Sequence, residues 1–247
     1  MNSEGAIVLL HGATLNHRMW DPVVSRLRPK YQVVVPDLPG HGVRANVPFT
    51  LEATVEVVRD AVRSVAPAPV ILVGDSLGGY SAMAAAGHVP SGQLKGLVLS
   101  GSSSNLRGTR LPPYLLQIAV FTVAKALLGP EKLLKRLGTQ LEGRIDPEHA
   151  RAIMAAGVRP AAFREAVWAL NARDFKAIVA SVDVPILFLN GSKDRGHVRF
   201  ESRFVAAAKS ATSERFEGAE HGISVWRSQD FATSVERFAE RVFATPR

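Results

Sequence analysis

The chain has 247 residues, an apolar fraction of 47%, no cysteine and a formal net charge of +8. This length suits one α/β domain with room for an insertion, and the apolar fraction is enough for a sizeable core. Without cysteine there are no disulfides and no thiolate metal ligands. The positive excess is scattered and comes with only 7% aromatic residues and no nucleic-acid motif, so no nucleic-acid partner is expected.

The opening "MNSEGAIVLLHG" has no basic n-region, and its apolar run is too short for a signal peptide, so a cytoplasmic location is expected. "AIVLL" (6–10), "YQVVVP" (31–36), "VILVG" (70–74) and "GLVLSG" (96–101) are short, uninterrupted and rich in β-branched residues. Such runs predict strands buried on both faces, as in a parallel sheet. "TLEATVEVVRDAVRSV" (50–65) has apolar residues at helical spacing with Thr50 as N-cap, and "LGGYSAMAAAGH" (77–88) is helix-compatible. Strands alternating with helices predict βαβ units.

After Gly101 the pattern changes. "SSSNLRGT" (102–109) reads as a loop, and helical patterns follow over 112–128, 131–142, 147–156 and 160–171. Between Ser102 and Asp174 there are 11 Lys and Arg against 6 Asp and Glu, so this segment carries most of the basic excess. Its greasiest stretch, "YLLQIAVFTVAKALLG", has 16 residues and falls short of the ~20 needed to span a bilayer, so no stable membrane insertion is expected. Strand patterns return at 184–191 and 213–218. The last segment, "SQDFATSVERFAERVF", places Phe231, Val235, Phe238 and Val242 on one helical stripe. The expected organisation is therefore an α/β core over 1–101 and 181–247, with a helical cap over 102–180 at one edge of the sheet, where it would cover a site.

Residues 72–79, "LVGDSLGG", carry the sharpest motif. A strand runs into Gly74-Asp75-Ser76-Leu77-Gly78 and a helix runs out, which is the strand–turn–helix context of a G-x-S-x-G nucleophile elbow. Small neighbours are needed because the turn presses the serine against the backbone. The helix N-terminus beneath Ser76 directs amide donors at developing negative charge. Asp75, beside that N-terminus, reads first as a packing or capping group and second as a substrate contact.

"LLHGATLNHRMWDPVVSRLRPKYQVVVPDLPGHG" followed by "LVGDSLGG" resembles the α/β-hydrolase fold serine hydrolases, through the His-Gly loop, the later Trp, the D-L-P-G-H-G loop and the elbow. The resemblance implies a mostly parallel sheet flanked by helices, shortened here to about six strands because so little chain precedes "AIVLL". It also implies an oxyanion hole built from the backbone N–H groups of Ala13 and Leu77. Two fixed donors on a developing oxyanion stabilise it by several kcal/mol, and losing one costs about 3–4 kcal/mol. The same letters Gly74-Asp75-Ser76-Leu77 are also similar to the signature of the GDSL esterases, whose acid and base form a D-x-x-H motif; Asp194-Arg195-Gly196-His197 has that spacing.

The two resemblances choose different bases for Ser76. In the α/β-hydrolase order of serine, acid, histidine, Asp194 lies in the loop after "PILFLNG" and His221 in the loop after "SERFEG". Loops at the ends of separate strands converge on one edge of a sheet, so Ser76, Asp194 and His221 are the expected catalytic residues, with His197 in a minor role. His11 and His41 sit in glycine loops and are expected to be structural. His88 and His149 lie at predicted helix ends. His17 is expected at the pocket mouth. In the cap, Leu115, Leu116, Ile118, Phe121 and Val123 are candidates to wall an acyl pocket, with Leu115 and Phe121 foremost. No metal-ligand spacing, G-x-G-x-x-G or Walker loop occurs, so no cofactor or metal is expected. The resemblance implies hydrolysis of a small-molecule ester by a monomer or homodimer. Lactonase, thioesterase, C–C hydrolase and proline iminopeptidase activities share such scaffolds, as do ligand receptors that keep a triad but turn over little.

Overall fold

The computed structural model describes residues 4–107, 111–171 and 173–244. The last two residues of the expected 102–109 loop, the ends of the expected core and position 172 of the expected cap lie outside the described residues. Among the described residues six strands form: β1 (Ala6–Leu10), β2 (Gln32–Val34), β3 (Val70–Asp75), β4 (Leu94–Ser100), β5 (Ile186–Gly191) and β6 (Ala211–Phe216). They make one sheet in the order β2-β1-β3-β4-β5-β6, and every neighbouring pair is parallel. The helices are α1 (Asp21–Leu27), α2 (Leu51–Arg63), α3 (Leu77–Ala86), α4 (Leu111–Leu128), α5 (Pro130–Glu142), α6 (Pro147–Ala155), α7 (Ala162–Asn171), α8 (Phe175–Ser181), α9 (Arg195–Ala207), α10 (Ile223–Trp226) and α11 (Ser228–Ala244).

The continuous apolar runs serve both faces because side chains alternate along a strand. Ala6, Val8, Leu10 and Leu72 join one buried cluster with residues of α2, α3 and α8. Ile7, Leu9, Ile71 and Val73 join the other with residues of α1 and α11. The expected C-terminal stripe is in place: Phe231, Val235 and Phe238 are buried, and Phe231 meets Trp20 with ring centroids 5.6 Å apart. Burying each such ring contributes about 1.5–3 kcal/mol.

Between β4 and β5 there is no strand among the described residues. Helices α4 to α7 lie off the sheet, whereas α8 packs against α3 and α9. Phe175 and Val179 of α8 belong to the same buried cluster as Leu10 and Leu72, as do Ala166, Val167 and Leu170 of α7. Helix α4 has 18 residues, a mean hydropathy of 1.5 and no buried residue. By length and composition it is apolar enough to cross a membrane, which the shorter count from sequence did not suggest. At ~1.5 Å per residue it is about 27 Å long, just under a ~30 Å hydrocarbon core. In the fold it is pinned to α7 by Tyr114 and Phe121, whose rings lie 6.3 and 6.0 Å from that of Phe163.

Candidate active site

Ser76 stands between the last residue of β3 and the first of α3, with φ 53° and ψ −114°. That conformation costs a non-glycine residue about 1–3 kcal/mol, and the surroundings must hold it there. Its own amide donates to the Ser100 carbonyl at 2.7 Å. A β carbon on Gly78 would overlap the Leu10 carbonyl, and one on Gly74 would overlap the backbone of Gly78, so the turn closes only with glycine at both. Leu77 is the first residue of α3, where an amide has no intrahelical partner.

Ala13 lies in the loop after β1, and two histidines shape that loop. His11 donates from Nδ1 to the Gly12 carbonyl at 2.8 Å and accepts the Leu38 amide on Nε2 at 2.9 Å. His41 donates from Nδ1 to the Pro39 carbonyl at 2.8 Å and accepts the Thr14 amide on Nε2 at 3.2 Å. Thr14 itself has φ 71°. Each ring can make this pair of bonds only when neutral. Burial favours that form: it pulls His11 down to about 3 and lowers His41 as well.

Asp194 follows β5 and His221 follows β6. His221 Nδ1 donates to Asp194 Oδ2 at 2.6 Å, which leaves Nε2 as the acceptor. His197, on the first turn of α9, brings its Nδ1 to 3.0 Å from both oxygens of the same carboxylate. Burial pushes the Asp194 carboxyl up, but the hydrogen bonds from His197 and His221 outweigh it and hold it well below the usual carboxylate range. His221 sits in a recess that pulls it down, yet the hydrogen bond and charge of Asp194, with the charge of Asp75, raise it overall. His197 is lowered, because burial exceeds the support from Asp194.

Ala13, Ser76, Leu77, Asp194, His197 and His221 line one cavity of about 330 Å³. This is near the lower end of the ~300–1,000 Å³ usual for small-molecule sites. Its far wall comes from the helical segment: Tyr114 and Gln117 of α4, and Phe163 and Leu170 of α7. A larger recess of about 650 Å³ opens at the opposite ends of the strands, beside His88 and Val184, away from Ser76.

None of the seven residues expected at the pocket is part of this lining: Leu116 and Val123 are exposed and Ile118 lines a neighbouring cavity. His17 turns its ring to Asp37, with Nδ1 2.9 Å from Oδ2. Asp75 is buried beneath the turn and accepts the Ser100 hydroxyl at 2.6 Å, so it supports the turn rather than facing the cavity. Leu115 points outward, and the residues of α4 that reach the cavity are its neighbours Tyr114 and Gln117. Phe121 lines a separate cavity of about 520 Å³ and touches the wall only through Phe163. His197, expected only in a minor role, shares this carboxylate, so both rings lie on Asp194.

A metal ion would need the three donors of Asp194, His197 and His221, whose ligating atoms lie within 4.8 Å of one another. The separations of 2.6 and 3.0 Å are those of hydrogen bonds. Donors around a zinc ion at ~2.0–2.1 Å stand roughly 3.4 Å apart, so the hydrogen-bonded spacing of this cluster is tighter than that of a zinc site.

The sequence profile of the alpha/beta hydrolase family matches residues 7–236. The chain belongs to the alpha/beta hydrolase family. Among curated hydrolases of the family it is similar to the pimeloyl-[acyl-carrier protein] methyl ester esterase of Neisseria meningitidis serogroup C, with 30% identity over 76% of this chain and 75% of the relative. The enzyme of the same name from Xanthomonas axonopodis pv. citri is 28% identical over 96% of each chain. Among solved structures, MenH from S. aureus superposes with a TM-score of 0.79 at 19% identity, covering 98% of this chain and 95% of its own. An esterase from Exiguobacterium antarcticum superposes with a TM-score of 0.78 at 18% identity, covering 97% and 93%. These likenesses establish the hydrolase fold with its six-stranded parallel sheet.

Proposed function

We propose that this alpha/beta hydrolase cleaves carboxylic esters of a small or medium acyl group through Ser76, His221 and Asp194. The observation that carries the proposal is the 2.6 Å His221–Asp194 pair lining the same cavity as a serine held in a strained turn. Ser76 Oγ attacks the ester carbonyl while His221 Nε2 takes its proton. Asp194 fixes the imidazole tautomer and stabilises the imidazolium. The amides of Ala13 and Leu77 receive the oxyanion. His221 then protonates the departing alcohol, and water, activated by His221, releases the acid from the acyl-enzyme. The names of the curated relatives support an ester substrate, and the apolar far wall of α4 and α7 supports an acyl chain lodged beneath a helical lid.

The test is turnover of nitrophenyl esters from acetate to decanoate, with monomethyl pimelate as the plain methyl ester suggested by the relatives. Ser76→Ala and His221→Ala are each expected to lower kcat by about 10⁴–10⁶-fold. Wild type that turns over none of these esters would move the reading to a narrower substrate or to a ligand receptor. Variants that keep full rate would remove Ser76 and His221 from the mechanism.

A further inference from the structure

Asp194 serves two imidazoles. His221 Nδ1 lies 2.6 Å from Oδ2, and His197 Nδ1 lies 3.0 Å from Oδ1 and from Oδ2. The two rings are stacked, with centroids 5.1 Å apart and planes 24° from parallel. They differ in exposure: His197 is buried, while the His221 side chain is 43% exposed toward the cavity. His197 is also fixed from other sides. Its carbonyl accepts the Ser103 hydroxyl at 3.2 Å, and its Nε2 meets the Tyr80 hydroxyl at 3.4 Å. Tyr80 in turn donates to the Ser104 carbonyl at 2.8 Å. A residue needed only to fill this space would be apolar, like Phe204 on the same face of α9. Instead the position offers an N–H to the carboxylate on which His221 depends.

We propose that His197 is a positioning residue, whose Nδ1–H···O bond shares Asp194 with His221 and so sets both the orientation and the proton affinity of His221. This rests on the ester-hydrolase reading above. A carboxylate has about four acceptor sites on its two oxygens, so it can take both donors. Each added donor fixes the carboxylate plane and disperses its charge. A carboxylate with dispersed charge stabilises an imidazolium less. His197 therefore keeps His221 a weaker base than Asp194 alone would make it, and more of His221 stays neutral and ready to accept the Ser76 proton.

The other titratable groups facing the pair are Asp194 itself, Asp75 at the end of β3, and Tyr80 from α3. Burial lowers the His197 imidazole and pushes the Tyr80 phenol well above 10, so the two shift to either side of His221. Asp75 does act on His221: its charge raises the imidazole. Removing it has the opposite sign to removing His197, and that separates the two.

The experiment compares wild type with His197→Leu, His197→Asn, His197→Gln and Asp75→Asn. It reads the pH dependence of kcat/KM and, without substrate, the NMR titration of the His221 ring. The Asn amide can place an N–H where Nδ1–H stood; the Gln amide reaches instead toward the Nε2 position. His197→Leu and His197→Gln are expected to move the acid limb up by about half a pH unit or more. They should also lower kcat about tenfold or more with KM within about threefold, which places the loss in the barrier. His197→Asn should return the limb to within about 0.2 unit of wild type, and Asp75→Asn should move it down. If His197→Leu does not fold, the Asn and Gln pair carries the same comparison. Limbs that coincide with wild type, or an Asn variant no better than Gln, would overturn the role and leave His197 as packing. The NMR titration keeps the two readings apart. If Ser76→Ala retains ester turnover, the hydrolase mechanism fails, while a shifted His221 titration in His197→Leu still reports the shared carboxylate.

Discussion

His11 and His41 each use both ring nitrogens in bonds to the backbone, whereas the Asp194 bond takes only Nδ1 of His221. That difference separates a structural histidine from a candidate base more surely than sequence position does. It also sets a pH expectation. His221 must be neutral to accept a proton, and Asp194 raises it above the ordinary imidazole value of 6.5. The acid limb of kcat/KM should therefore have its midpoint above 6.5, and a limb below that value would mean that burial outweighs Asp194 or that another group is the base. The convergence of Ser76, Asp194 and His221 on one cavity was legible because each follows a recognisable strand. The pocket wall was not. Leu115 and Tyr114 are adjacent on one apolar helix, and nothing in the local sequence says which of them turns toward the cavity. His17 was misplaced for a related reason, because Asp37, remote in sequence, holds its ring, whereas the first reading of Asp75 as a packing group agrees with its bond to Ser100.

Among the elements, α2 matches its sequence pattern closely. Thr50 accepts the Ala53 amide at 3.0 Å on its hydroxyl, and the helix begins at the next residue. Thr50→Ala should cost about 1 kcal/mol of folding stability, read as a lower urea midpoint with unchanged m-value. Helix α9 left no such pattern, and its buried face explains why. His197, Glu201 and Phe204 lie at helical spacing, but two of the three are polar. Glu201 is buried because Asn190 donates to it at 2.5 Å and Arg215 pairs with it at 2.9 Å. Hydropathy periodicity cannot mark a face whose burial is secured by hydrogen bonds. Helix α8, at seven residues, is too short for its period to stand out. Strand β2 is three residues rather than the six-residue run: it pairs with β1 at Ala6–Val8, and β1 continues to Leu10 beside β3.

For the whole molecule, the buried neutral histidines make folding sensitive to acid. The unfolded chain takes a proton on His11 near 6.5, but the folded chain does not until about 3. His41 is lowered too. Their contribution is fully present above pH 6.5 and is lost as pH falls below it, by at most about 1.4 kcal/mol per pH unit for each imidazole. His221 has the opposite sign. Its folded value is raised, so its contribution is complete below 6.5 and constant there. Asp37 and Asp194, held below the ordinary 3.8, join the loss only at lower pH. The urea midpoint should therefore drop between pH 6.5 and about 5, and a flat or rising midpoint would mean that these rings are protonated in the fold.

The helical segment is laced to the loop that carries Ala13. The Arg159 amide donates to the Thr14 carbonyl at 2.9 Å, and its guanidinium donates to the Gly40 carbonyl at 3.0 Å. Asn16 donates to the carbonyls of Ile153 and Gly157 at 2.8 and 3.0 Å. These bonds tie one end of α6–α7 to the sheet edge, while α4 meets α7 through the ring contacts of Tyr114 and Phe121 with Phe163. Grafting a foreign α4 onto this scaffold would therefore change what the cavity admits while leaving the Ala13 loop its own supports. An exchange of 150–160 would have to keep the turn that presents the Ile153 and Gly157 carbonyls and the Arg159 amide. Homologous recombination between relatives would find viable, altered hydrolases with crossovers on the near side of α6 and inactive ones with crossovers beyond it, so the boundary that divides this chain into exchangeable parts runs through the helical segment rather than around it.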